Sequence, residues 1–144
     1  MSNQSPTVTS PARRAIRTPW SPAQLIVGAI GAFFIVLGVL ALSEAGISAW
    51  TSPRTTVWGF GHTPLMAAVE IALGFSVILA APYPFSARGT LLGFGVLMAI
   101  FGMVTILDPS AFRETLGVNT LTGWLYLGTG LGAAVMGSSV PLSE

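Results

Sequence analysis

No charged residue occurs between positions 18 and 43. A bilayer's hydrocarbon core is about 30 Å thick and takes about 20 apolar residues of helix to cross, so this run is long enough with margin. Three similar runs come later, at 64–81, 89–107 and 121–140. The chain has six basic and five acidic residues, and of these Glu70 alone falls inside a run. With 8% of residues charged and a mean hydropathy of +0.76, a soluble domain of 144 residues could not cover its surface. In lipid every backbone amide must be paired internally, which helices achieve and an open sheet does not. The runs lack the strict alternation of a transmembrane barrel. The expectation is an all-α integral membrane protein. Its single domain, 20–141, is a four-helix bundle with helices at about 22–43, 64–81, 89–107 and 121–140. A disordered tail rich in Ser, Thr and Pro covers 1–19, and a short tail covers 142–144.

The first run is too long for the apolar region of a cleaved signal peptide, despite the basic residues before it and the Ala41-Leu42-Ser43 sequence after it. Arg13, Arg14, Arg17 and Arg88 would share one side of the membrane, and Arg54 and Arg113 the other, where Glu44, Asp108 and Glu114 dilute them. The positive-inside rule then makes both termini cytoplasmic and the chain a multi-pass protein of the cytoplasmic membrane. Trp20 falls at one interface and Trp50 and Trp58 near the other, as anchoring indoles do. Ser21-Pro22 and Thr63-Pro64 each supply an N-cap followed by a proline at the first helical position. Pro82, Tyr83 and Pro84 end the second helix in a turn. Asp108-Pro109 is suited to cap a brief surface helix through Phe112 that stops near Gly117.

The second half echoes the first. An offset of 64 lays Gly31 on Gly95 and Gly38 on Gly102; an offset of 56 lays Ala67 on Gly123 and Gly74 on Gly130. Each half is then a helical hairpin, and the two form a parallel internal repeat. Small residues mark the packing faces: Gly28, Gly31 and Gly38 on the first helix, Ala67 and Gly74 on the second. Gly95, Ala99 and Gly102 do so on the third, and Gly123, Gly130 and Gly137 on the fourth. Lipid offers no hydrophobic drive for helix association, so close backbone approach has to supply it. The same stripes would alternatively leave a slot for a lipid or quinone tail.

Glu70 lies six residues past Pro64, about 9 Å into its helix at 1.5 Å per residue. A carboxylate at that depth costs at least about 2.5–3.5 kcal/mol, so it takes a proton or faces a partner. Ala67 and Gly74 put it on the small-residue face, and the 56-residue offset lays it on Tyr126, flanked likewise by Gly123 and Gly130. The expected arrangement is an intramembrane polar pair, protonated Glu70 with Tyr126. It would serve as a clasp that fixes helix register, as a proton- or cation-handling station, or as a contact to another membrane protein. Thr105, Thr122, Thr129 and Ser76 are the few other polar stations in the runs, a thin set for a conducting path.

His62 is the sole histidine and would sit at the external interface, within reach of Glu44, Asp108 or Glu114 and ordering a loop. A metal needs three or four converging ligands, so no metal site is expected. With no cysteine there is no thiolate chemistry, and the glycines lie inside apolar helices rather than in a phosphate-cradling loop. No catalytic residues or cofactors are indicated, and a net charge of +1 implies no nucleic-acid partner.

The segment Gly59-Phe60-Gly61-His62-Thr63-Pro64-Leu65 leads into a helix with Glu70 and Gly74. With Gly38-Val39-Leu40 and Gly117-Val118-Asn119, it resembles a family of small bacterial four-span membrane proteins classed as a domain of unknown function. The resemblance spans about Gln24 to Gly137. It implies a bacterial cytoplasmic membrane and paired hairpins, with no activity to carry over. Relatives of this kind often bear a further polar or histidine residue before the fourth helix, where this chain has Asn119. The leading expectation is a small non-enzymatic accessory or interaction subunit. It would contact membrane lipids and associate with itself or with another membrane protein. A proton-coupled transporter or channel using Glu70, and lipid or quinone binding between the hairpins, are the alternatives.

Overall fold

Three prolines open the long helices. The computed structural model describes residues 20–52, 54–110 and 112–139. The two expected tails, with Arg13, Arg14 and Arg17, lie outside the described residues. Helix α1 (Pro22–Ala45) starts in a full capping box: the Gln24 amide donates to Ser21 Oγ (3.3 Å), and the Ser21 amide donates to Gln24 Oε1 (2.8 Å). Helix α2 (Pro64–Ala80) is capped by Thr63, whose Oγ1 accepts from the Met66 amide (3.3 Å). Helix α3 (Pro84–Leu107) begins ahead of the expected residue 89. Pro84 sits at its first position, where a missing N–H costs nothing, and one extra turn carries Arg88 and Gly89. Helix α4 (Arg113–Leu116) stops at Gly117, which is left-handed at φ 70°. Asp108 does not cap it; its carboxylate accepts from the Ser110 amide (3.0 Å) in a turn before the helix. Helix α5 (Thr120–Ser139) is capped by Asn119, whose Oδ1 accepts from the Thr122 amide (2.8 Å).

The fold is mostly helical, but not wholly so as expected. Strands β1 (Thr55–Val57) and β2 (Phe60–His62) form an antiparallel hairpin pairing Thr55 with His62 and Val57 with Phe60. Its two-residue turn is Trp58-Gly59, at φ 51° and 87°. Positive φ at both positions is the geometry whose twist matches paired strands. Asn or Asp ordinarily precedes the glycine in such a turn, and here an indole does.

The α1 helix and the Ser86–Leu107 part of α3 are long and apolar enough to cross a membrane; α2 is apolar and shorter. In α5, glycines, threonines and Tyr126 dilute the apolar character. Helix α1 packs against α2, and α3 against α5. A Cβ on Gly38 would lie 2.6 Å from the Ala67 carbonyl oxygen, and one on Gly74 the same distance from that of Gly31. In the other pair, Cβ atoms on Gly95 and Gly102 would lie 2.7 and 2.6 Å from the carbonyl oxygens of Gly130 and Gly123. Both pairs are antiparallel, and backbone meets backbone in each. The contact residues recur seven apart on all four helices, two turns along one face. Gly137 meets Leu91 and Leu92.

Gly28 departs from expectation, with nothing within 4 Å of where its Cβ would be. At 3.6 residues per turn it lies about 60–80° around the helix from Gly31 and Gly38. The core forms where the pairs meet: Phe34 of α1 stacks on Tyr126 of α5 (centroids 5.7 Å, 7°), and Phe101 of α3 meets the same ring edge-on (5.3 Å).

Candidate functional site

The carboxyl group of Glu70 is the natural starting point, being wholly buried on the inner face of α2. Tyr126 Oη donates to its Oε1, joining α2 to α5. Phe34 stacks on the Tyr126 ring and Phe101 meets it edge to face, so the hydroxyl has little freedom to leave. The fold brings together the two residues that the 56-residue offset superimposes.

His62 is the third member. Its Nε2 lies 3.0 Å from the same Oε1, and its Nδ1 lies 2.9 Å from the Phe60 carbonyl oxygen. The imidazole is therefore not at an interface, and none of the expected partners Glu44, Asp108 and Glu114 is its carboxylate. The β-hairpin accounts for the difference by turning the chain over the end of α2 and setting His62 inside. A sequence signal existed: His62 immediately precedes the Thr63 N-cap, a position whose side chain lies over the fourth helical residue. That residue is Ala67, with little side chain to meet, and the next on its face is Glu70.

A carbonyl oxygen only accepts, so the contact to Phe60 suits an Nδ1–H donor, and Nε2 is then the ring atom that faces Glu70 Oε1. Glu70 Oε2 is buried and has no hydrogen-bond partner among the described residues. One imidazole and one carboxylate are too few to hold a metal ion.

A collar of polar contacts holds the hairpin over this cluster. The Gly61 amide donates to Thr122 Oγ1 (2.9 Å), and Asn119 Nδ2 donates to the Gly59 carbonyl (2.8 Å). The Thr63 amide and hydroxyl donate to the carbonyls of Leu116 (3.0 Å) and Thr115 (3.1 Å). Asn119 thus acts as a cap and tether, away from Glu70. Of the other polar residues in the helices, Ser76 and Thr105 donate back to the Ala72 and Phe101 carbonyls of their own helices. Trp20, Trp50 and Trp58 are exposed at helix ends and loops, as is Trp124 on α5, which the sequence pattern alone does not single out.

This cluster, its collar and the four long helices, apart from the first two residues of α1, fall within residues 24–139, which match a family model described as a domain of unknown function, DUF4383. The chain belongs to the DUF4383 family. No curated protein and no solved structure matches it. The DUF4383 segment takes in His62, Glu70 and Tyr126, and both glycine-closed helix pairs.

Proposed function

We propose that this DUF4383 protein is a four-span protein of the bacterial cytoplasmic membrane, a small non-enzymatic accessory or interaction subunit. Its two antiparallel pairs are read as tandem hairpins of a parallel repeat, supported by glycine contacts recurring at matching positions. In this reading both termini are cytoplasmic: Arg88 lies at the end away from the β-hairpin, and Arg54 and Arg113 lie at the β-hairpin end. Large apolar side chains such as Leu25, Val36, Leu79, Val96 and Leu131 are exposed on the outer faces, where lipid or a partner helix would meet them.

One observation carries the assignment to a subunit rather than a catalyst or carrier. His62, Glu70 and Tyr126 are each fully buried, and the first and last both bond Glu70 Oε1, so the three serve as a clasp between α2, α5 and the hairpin. Burial of all three side chains supports a structural role for the cluster. The test is purification of the tagged protein from its native membrane in mild detergent, with and without Glu70→Gln. Stoichiometric recovery of a defined partner complex by both forms supports the subunit reading. Recovery alone, together with reconstituted proton flux abolished by Glu70→Gln, overturns it.

Two observations favour the other readings. The unpartnered Oε2 of Glu70 is what a proton station would present to a transient donor. Between α2 and α3, an apolar groove of about 260 Å³ is lined by Val69, Leu73, Leu97, Met98 and Tyr126 among others, and would accept a lipid or quinone tail. A co-purifying lipid lost on Leu97→Trp would favour the latter.

A further inference from the structure

At the β-hairpin end, a cleft of about 190 Å³ lies between the two halves of the chain. Arg54, just before β1, lines one side, and Arg113, at the start of α4, lines the other. Gly61 and Gly117 form its floor, where the two backbones come too close for a Cβ on Gly61. The Asn119–Gly59 and Gly61–Thr122 hydrogen bonds described above fix that floor.

The donors in the cleft are left over after the internal contacts are made. Thr55 donates to Glu44 Oε2 (3.1 Å), and the Asn119 amide is committed to Gly59. Neither Arg54 nor Arg113 forms an ion pair among the described residues, although Glu44 and Glu114 are close in sequence or space. The Thr56 hydroxyl has no hydrogen bond among the described residues either. Two arginines that line one cleft bring like charges to it, and an anion held between them would turn repulsion into attraction. Each presents a planar fork of N–H donors and no acceptor. Two forks and a hydroxyl outnumber the two oxygens of a carboxylate; they suit the three or four oxygens of a phosphate.

We propose that the Arg54–Arg113 cleft is a binding site for a phosphate group, with Thr56 as an auxiliary donor. The phosphate is either that of a lipid headgroup or that of a soluble phosphate compound. The cleft joins β1 to the α4–α5 connection, so an occupant would also tie the two halves together at this end.

The test uses the full-length protein in an uncharged detergent. Its melting temperature is followed against inorganic phosphate, with chloride at matched ionic strength as the reference. In a second arm, phosphatidylglycerol is added to the micelles, with diacylglycerol of the same tails as the reference. A saturable, phosphate-specific rise in either arm is expected. Arg54→Gln and Arg113→Gln should each weaken it about tenfold or more, as loss of a charge-assisted hydrogen bond does, and Arg54→Lys should weaken it less. Response to phosphatidylglycerol alone identifies a headgroup; response to inorganic phosphate alone identifies a soluble ligand. Absence of a saturable rise in both arms overturns the proposal, as does an unchanged response in the double Gln variant. Both arginines are exposed, and the melting temperature without ligand reports whether each variant is folded.

Discussion

Tyr126→Phe removes one oxygen atom and leaves its surroundings in place. The ring keeps its contacts with Phe34 and Phe101, and Glu70 Oε1 keeps His62, so no further buried polar atom is stranded. The cost is that of the lost hydrogen bond. Interhelical bonds in membranes measure about 0.6–1.7 kcal/mol, and one to a charged acceptor about 1.5–3 kcal/mol; about 1–2 kcal/mol is expected here. Glu70→Leu acts differently, because it strips His62 Nε2 and Tyr126 Oη of their shared acceptor at once. Each buried orphan costs about 1–3 kcal/mol, which gives about 2–5 kcal/mol after allowing for the removal of Oε2. The two effects combine with a change of sign. In the Glu70→Leu background the Tyr126 hydroxyl is itself an orphan, so adding Tyr126→Phe should be neutral or stabilising. Reversible unfolding in mixed anionic and uncharged detergent micelles, followed by the fluorescence of the four tryptophans, measures all four corners of the cycle. An equal loss from Tyr126→Phe in both backgrounds would refute the clasp.

Other outcomes are set by the packing and the turns. Gly102→Val should destabilise by about 1–3 kcal/mol, since its Cβ would sit 2.6 Å from the Gly123 carbonyl oxygen. Gly28→Ala should be neutral or gain up to about 1 kcal/mol of helix propensity; a loss comparable to that at Gly102 would show that position 28 is packed after all. Trp58→Asn should relieve the left-handed backbone at φ 51° and raise stability by about 1 kcal/mol. A fall in melting temperature would mean that the indole contributes more than its backbone costs. Asn119→Ala removes the α5 cap and the Gly59 tether together, for about 1–2 kcal/mol. Faster hydrogen exchange confined to residues 55–62 and the first turn of α5 is the signature to look for.

The helical elements are legible in the sequence because their punctuation is local. Ser21-Pro22 and Thr63-Pro64 carry their own caps, and a long apolar run marks each helix beyond them. Tyr83-Pro84 reads as the end of one helix when it also begins the next, since a proline accepted at a first turn looks in sequence like a breaker. The β-hairpin escapes notice because its strands are three residues long and its turn uses Trp where Asn or Asp is usual. That one omission misplaces His62. Glu70 and Tyr126 can be juxtaposed from sequence since both lie on regular helices, where an offset preserves face and depth. His62 lies on a strand that turns back over a helix end, and no helical periodicity reaches it. Gly28 groups with Gly31 and Gly38 on residue type, although the helical angle between them separates their faces.

The hydrogen bonds that cross between the two helix pairs are concentrated at one end. The His62–Glu70–Tyr126 cluster, the Thr63 contacts, Gly61–Thr122 and Asn119–Gly59 all lie at or below the β-hairpin. At the far end, Arg88 Nε donates to the Gly137 carbonyl (3.1 Å) within one pair, and Gln24 Nε2 donates to the Pro82 carbonyl (2.9 Å) at the turn joining the pairs. What holds the pairs together there is the fit of Ala23, Val27, Ala87, Leu91 and Ala133. Hydrogen bonds resist rotation as well as separation, whereas smooth apolar faces slide at little cost. The molecule is built like a pair of tongs, pinned at the hairpin, with any relative motion of its arms growing with distance from Glu70.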